Sequence, residues 1–281
     1  MSGSLSYLTS LFSSSFGGGG SLLDILYGIN QPSGSGQNPV QALTAAEQNQ
    51  AQDVKMTAAQ PAVQNAVKAF TQAVNSATSV KQLLANPTVM NVLLTANGMS
   101  DQTGYTALAT QALTSNLGDP KSLANTLTDT RWKTLAQTYN FAANGLSSIK
   151  NPAAIASIAN SYATATWQTN EDAVTPGLSN ALSFKASAAS ITSVDQILGN
   201  PTMRTVVTTA LGIPQQIAFQ SLNAQEQAIS SRLNISQFQD PKFVESFVQR
   251  YLIADSANAS SSCSSTPDLT TLLVQGQGIF V

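Results

Sequence analysis

A stretch of twenty-one residues occurs twice in this chain, 114 positions apart, and limits the possible folds more than any other feature. Residues 78–98 read TSVKQLLANPTVMNVLLTANG and residues 192–212 read TSVDQILGNPTMRTVVTTALG, with twelve identical positions. Upstream, Phe70 matches Phe184 at the same offset; downstream, Asp119-Pro120-Lys121 recurs as Asp240-Pro241-Lys242 at an offset of 121. The matched residues are helix punctuation and apolar faces. Ser79 with Gln82, and Ser193 with Gln196, have the spacing of a capping box, in which serine and glutamine satisfy each other's free backbone N–H groups. Asn86-Pro87 and Asn200-Pro201 then open a second helix, with the Asn side chain as N-cap and Pro where no N–H is needed. Gly98 and Gly212 sit where that helix should end. Shared caps and packing faces, with no shared reactive groups, predict a scaffold before an active site.

The same grammar runs through the middle of the chain. Asp119-Pro120, Asn151-Pro152 and Asp240-Pro241 are further Asx-Pro starts. Leu123, Leu127, Leu135 and Tyr139 follow the first, and Phe243, Val244, Phe247, Val248, Tyr251 and Leu252 the last, at the three- and four-residue spacing of one buried helical face. No run alternates with period two, so no sheet is expected. The predicted fold is all-α, with two similar lobes at 55–146 and 171–257 joined by a linking helix at 147–170.

Composition removes several function classes. Charged residues are 9%, against about a quarter in ordinary soluble proteins, so Ser, Thr, Asn and Gln must build much of the surface. A net charge of −2 and twelve scattered basic residues give no field for nucleic acid. The chain has no His, which removes the commonest acid–base group and metal ligand. The single Cys263, in a serine run without nearby basic residues, can form neither an intrachain disulfide nor an activated thiol site. No stretch approaches the ~20 apolar residues of a membrane helix, and the N-terminus lacks a basic region followed by a long apolar one.

The ends differ from the middle. Residues 1–54 read as a flexible arm, with Gly17–Gly20 and a Gln31-Pro32-Ser33-Gly34-Ser35-Gly36 run, interrupted by apolar clusters around Leu5–Phe16 and Leu22–Leu26. Residues 258–281 read as a Ser-rich tail ending in an apolar string, Leu272 to Val281. These clusters fit either docking on the protein's own body or docking on a partner.

The densest polar group is Asp129, Arg131 and Lys133 around Trp132. It reads as a recognition patch or, more simply, as a surface ion pair beside a core tryptophan, with Asp129 and Lys133 four residues apart on a helix. Trp132 and Trp167 are expected as core anchors. Glu171 and Asp172 are adjacent and so do not face one point; they suit a helix N-terminus or a solvated turn rather than paired acid–base work. Gly17–Gly20 lacks the Lys-Ser/Thr of a phosphate loop. No catalytic, cofactor-binding or metal-binding residue is assigned, and no cofactor.

Three stretches resemble a bacterial family, domain of unknown function 1217. Thr57-Ala58-Ala59-Gln60-Pro61-Ala62-Val63 is similar to its opening motif, and residues 79–98 to its next block. The segment from Asp119-Pro120 through Asn125 to Asp129, Arg131 and Trp132 resembles its most specific block, with Thr130 where a basic residue is usual. The second lobe keeps Asp240-Pro241 but not the Asn, the Asp or the Arg-aromatic pair. The resemblance implies a helical, often duplicated protein without established catalytic residues, some relatives being associated with flagellar genes. Few charges, no His and one Cys also suit subunits exported unfolded through a narrow channel. The heptad-patterned termini of flagellar axial subunits are missing, which leaves an accessory or capping role.

The expected function is therefore a non-catalytic structural or interaction protein, flagellum-associated, with protein partners or self-association. No nucleic acid, integral membrane segment or small-molecule substrate is expected. A secreted or envelope-associated protein unrelated to the flagellum is the alternative, and an enzyme with no recognisable site the second. Localisation is open between the flagellum, export without a signal peptide, and the cytoplasm.

Overall fold

A computed structural model describes residues 38–263; the apolar clusters of the N-terminal arm and the apolar end of the tail lie outside them. Among the described residues every regular element is helical, so the fold class is all-α.

The two copies of the repeated stretch fold alike. Helices α3 (Val80–Leu84) and α4 (Pro87–Ala96) correspond to α11 (Val194–Leu198) and α12 (Pro201–Ala210). Ser79 and Ser193 accept from the backbone N–H of Gln82 and Gln196. The capping box closes fully only in the second copy, where the Gln196 side chain also takes the Ser193 N–H; Gln82 takes the N–H of Thr78 instead. Asn86 and Asn200 each accept two N–H groups of the helix they open. Gly98 and Gly212 end α4 and α12 at φ +69° and +62°, the left-handed conformation that glycine adopts without strain. In both, the next residue donates back to the third-last helical carbonyl: Met99 to Leu94 at 2.9 Å, Ile213 to Thr208 at 2.8 Å.

Two apolar cores result. Phe70 and Val74 of α2 (Pro61–Ser76), the apolar face of α4, Leu113 of α5 (Thr106–Leu113) and Trp132, Leu135 and Tyr139 of α7 (Arg131–Tyr139) form the first. Phe184 of α10 (Leu178–Ser187), α11, α12 and Phe247, Val248 and Tyr251 of α14 (Pro241–Cys263) form the second. Phe70 and Phe184, paired by the repeat offset, are both fully buried. Helix α9 (Pro152–Val174) serves both cores, giving Ile158 to the first and Trp167 to the second.

Four expectations need correction. The arm does not reach residue 54: Pro39–Ala58 is a helix, α1, whose Ala42, Leu43 and Ala46 pack into the second core. Alanine and a single leucine made that face too faint to read beside its Gln-rich surroundings. Lys185 of α10 holds α1 in place, bridging Glu47 of α1 at 2.5 Å and Glu245 of α14. The linking helix starts at Pro152 and runs to Val174, because Asn151 caps it and residues 145–148 make a 3-10 turn. Asp119-Pro120 opens a turn, with Asp119 accepting the Lys121 N–H; the helix waits for α6 (Leu123–Thr126). The last helix passes the expected tail boundary and runs to Cys263, the last described residue.

Candidate functional site

Asp129 lies just before the first turn of α7, not on the helix. Its carboxylate therefore cannot pair with Lys133 at helical spacing. It caps the Arg131 N–H at 3.0 Å and grips the Arg131 guanidinium through Nε (3.0 and 3.1 Å) and Nη2 (2.7 Å). Asp101, from the 3-10 turn after α4, takes Nη1 at 3.0 Å and Nη2 at 2.8 Å, while Nη1 also reaches the Gly98 carbonyl at 2.9 Å. The guanidinium's planar fork is thereby used on all sides. Burial alone would lower the Arg131 pKa, but the two carboxylates outweigh it and hold it above its usual value. Burial likewise works against the Asp101 carboxylate, and the Arg131 hydrogen bond and charge prevail, keeping its pKa below the ordinary value. Trp132, the next residue, is buried in the first core. The Asp–Arg–Trp block thus ties the end of α4 to the start of α7.

Thr130, in the middle of this block, faces the other half of the molecule. Its N–H and Oγ1 both donate to the Gly199 carbonyl, at 2.8 and 3.1 Å. A Cβ on Gly199 would lie 2.4 Å from Thr130 Cγ2, so glycine is what allows the contact. The equivalent position of the first copy is Ala85, in nearly the same backbone conformation: φ −74°, ψ −13° against φ −77°, ψ −5°.

Between the two halves lies a cleft of about 540 Å³, which shares Arg131, Gln168 and Ser183 with the lining of a second cavity of about 310 Å³. Hydroxyl side chains of α7, α9, α10 and α12, together with Gln168 of α9, share the walls about equally with apolar groups such as Leu135, Ile191 and Met203. Arg131 lines both cavities and Asp101 the second, but Asp129 and Glu171 line neither, so Asp129, Arg131 and Glu171 do not share one pocket. Glu171 and Asp172 stand in the last turn of α9, not at a helix start or in a loop; Asp172 accepts the Ser179 N–H at 3.1 Å. Near them Asp255 has a raised pKa, through burial first and the Asp172 charge second. Burial also raises the Tyr251 hydroxyl, to about 12, although Asn180 donates to it. Among the described residues, no group of three or more His, Cys, Asp or Glu could hold a metal ion, and no helix is long and apolar enough to cross a membrane.

Sequence reasoning passed over Asp101, Lys185 and the Thr130–Gly199 contact. Only the last left a trace: the Gly that replaces Ala85 in the second copy.

These features define an all-helical protein with two cores strung on one shared helix and a cleft between them. The chain belongs to the family described as protein of unknown function DUF1217, whose model matches residues 96–244, just over half of the chain. Its fold is similar to the crystal structure of protein AGR_C_984 from Agrobacterium tumefaciens, with a TM-score of 0.66 and 23% identity over 80% of this chain and 96% of that one. No curated protein matches the chain.

Proposed function

We propose that this chain is a non-catalytic structural or interaction protein that serves as an accessory component of the flagellum. The observation that carries the non-catalytic reading is the saturation of its densest polar cluster. Arg131, with its side chain 9% exposed, spends its donors on Asp129, Asp101 and the Gly98 carbonyl, which leaves it nothing to offer a reacting group. Contact with a partner is favoured by large apolar side chains left on the surface: Phe219 is 89% exposed and Leu222, three residues on, 58%. The flagellar setting is drawn from the sequence resemblance.

A strain lacking the gene, scored by swimming halo and electron microscopy of its flagella, tests this reading. Malformed or missing flagella, restored by the intact gene and not by a Phe219→Ser/Leu222→Ser version that still folds, are expected. Normal flagella and halos would overturn the flagellar setting.

A further inference from the structure

Two helices cross between the halves. Asn38-Pro39, at the start of α1, stands 113 residues before Asn151-Pro152, at the start of α9. The two helices run for 20 and 23 residues and precede α2 and α10, which carry the matched Phe70 and Phe184. Each packs its first turns on the core of the other half. Helix α9 gives Ile155 and Ile158 to the first core; α1 gives Ala42, Leu43 and Ala46 to the second and, among the described residues, none to the first. Yet the chain ties α1 to the first half, through Ala59 and Gln60 before α2 opens at Pro61. A leading helix that leaves its sequence neighbours to complete another unit is the arrangement of a domain-swapped dimer, here with both units in one chain.

Helix α9 is fixed in place: packed elements flank it on both sides in sequence, and Trp167 anchors its far end in the second core. Helix α1 is held more lightly. Its share of the second core is one leucine and two alanines, and its ion pair, Glu47 with Lys185, is about one-third exposed. It is also the first helix of the described chain, so it can lift off without unthreading a later element. Its seat is formed by α9, α10 and α14, with the Lys185 ammonium at the edge. That seat fits a helix with small apolar side chains spaced as Ala42, Leu43 and Ala46 are, followed at once by the carboxylate of Glu47. We propose that the seat is an interface between copies of this chain: it takes α1 of a second copy, which receives α1 in return. Every contact that α1 makes in the monomer is then remade between the two chains, so the hinge and the protein concentration set the exchange. A short tether holds its helix at an effective concentration of order millimolar, and copies exchange as the protein approaches that level. This interface is separate from the Phe219 surface and goes beyond the role proposed above.

The test uses full-length chains in a Cys263→Ser background, one carrying Glu47→Cys and the other Lys185→Cys. They are mixed at about 0.01 and about 1 mM, below and at the effective concentration of the tether, and treated with a short bismaleimide. A covalent heterodimer joining positions 47 and 185 is expected at the higher concentration, and Leu43→Asp added to the Glu47→Cys chain should remove it. These replacements break the bridge, so light scattering of chains that keep it supplies a second reading. Deleting Ala59 and Gln60, which hinders α1 from folding back on its own chain, should raise the dimer fraction about tenfold, and a Gly/Ser insertion there should lower it. No 47–185 heterodimer at the higher concentration, a hinge deletion that keeps its helical content and stays monomeric, or a heterodimer that survives Leu43→Asp would overturn the proposal. The Phe219→Ser/Leu222→Ser chain should exchange α1 as the wild type does, so this claim and the contact proposed above fail separately.

Discussion

Replacing Gly199 by Ala should destabilise the protein although the backbone there suits alanine. At φ −77°, ψ −5° no glycine is required by conformation, and Ala85 occupies the equivalent position of the first copy. On conformation alone, the change would stabilise by about 0.4–1 kcal/mol through the unfolded chain. Against this stands the new Cβ, 2.4 Å from Thr130 Cγ2 and 3.0 Å from both Thr130 Oγ1 and the Asp195 carbonyl. Pushing Thr130 away costs about 1–3 kcal/mol of overpacking. It also strains the two hydrogen bonds onto the Gly199 carbonyl, worth about 1 kcal/mol each. The net expectation is a loss of about 2 kcal/mol, or roughly 4–8 °C in melting temperature. Thr130→Ser removes the clashing methyl and keeps the hydroxyl, so Gly199→Ala should cost at least about 1 kcal/mol less in that background. Chemical denaturation of the four proteins in the cycle measures both quantities. Gly199→Ala as stable as wild type, or equal costs in the two backgrounds, would refute the reasoning.

Arg131→Ala should cost about 3 kcal/mol in denaturant unfolding, because it strands Asp129 and Asp101 and frees the Gly98 carbonyl. Arg131→Lys should recover only part of this, since an ammonium cannot reproduce the fork. Lys185→Met should cost less than about 1 kcal/mol, the bridges being about one-third exposed, but should speed hydrogen exchange in α1, which Lys185 ties down. The raised Lys185 pKa, set by Glu245 and Glu47 against the burial that opposes it, gives stability that is full below the ordinary value of 10.5 and lost as pH rises through the folded one. The wild type should therefore lose more stability than Lys185→Met above that pH. Asp255→Asn should raise the melting temperature at pH 7 by about 1–2 °C. Its carboxyl is held above 3.8 by burial and by Asp172, so its contribution is most favourable below 3.8 and declines as pH rises through the folded value. The variant should lack that decline.

The repeated stretch was legible in fine detail because its information is local. Ser, Asn-Pro and Gly act on neighbouring backbone groups, and α3, α4, α11 and α12 begin and end where those residues place them. Helix α1 was not legible. Its stability comes from packing Ala42, Leu43 and Ala46 onto the distant second core, and from Lys185, 138 residues from Glu47. Asp119-Pro120 misled for a related reason: the Asp side chain caps a turn with the same chemistry it uses to cap a helix. At the candidate site, Trp132 and Trp167 were read correctly as core, but the surface ion pair was placed between Asp129 and Lys133, whereas Asp129 pairs with Arg131. Its actual partners could not be read, because Asp101 comes from another element and Asp129 lies outside the helix. The cleft left no mark either, since its serines and threonines are indistinguishable in sequence from an uncharged surface.

The claim that this chain works through contact is tested most directly by photo-crosslinking in living, motile cells, with a photoreactive phenylalanine analogue at Phe219. The account predicts a discrete high-mass adduct that contains a structural protein of the flagellum. A chain that forms no adduct at Phe219, Leu222, Tyr105 or Ile253, four of the large apolar side chains exposed among the described residues, and that purifies as a lone monomer would contradict it.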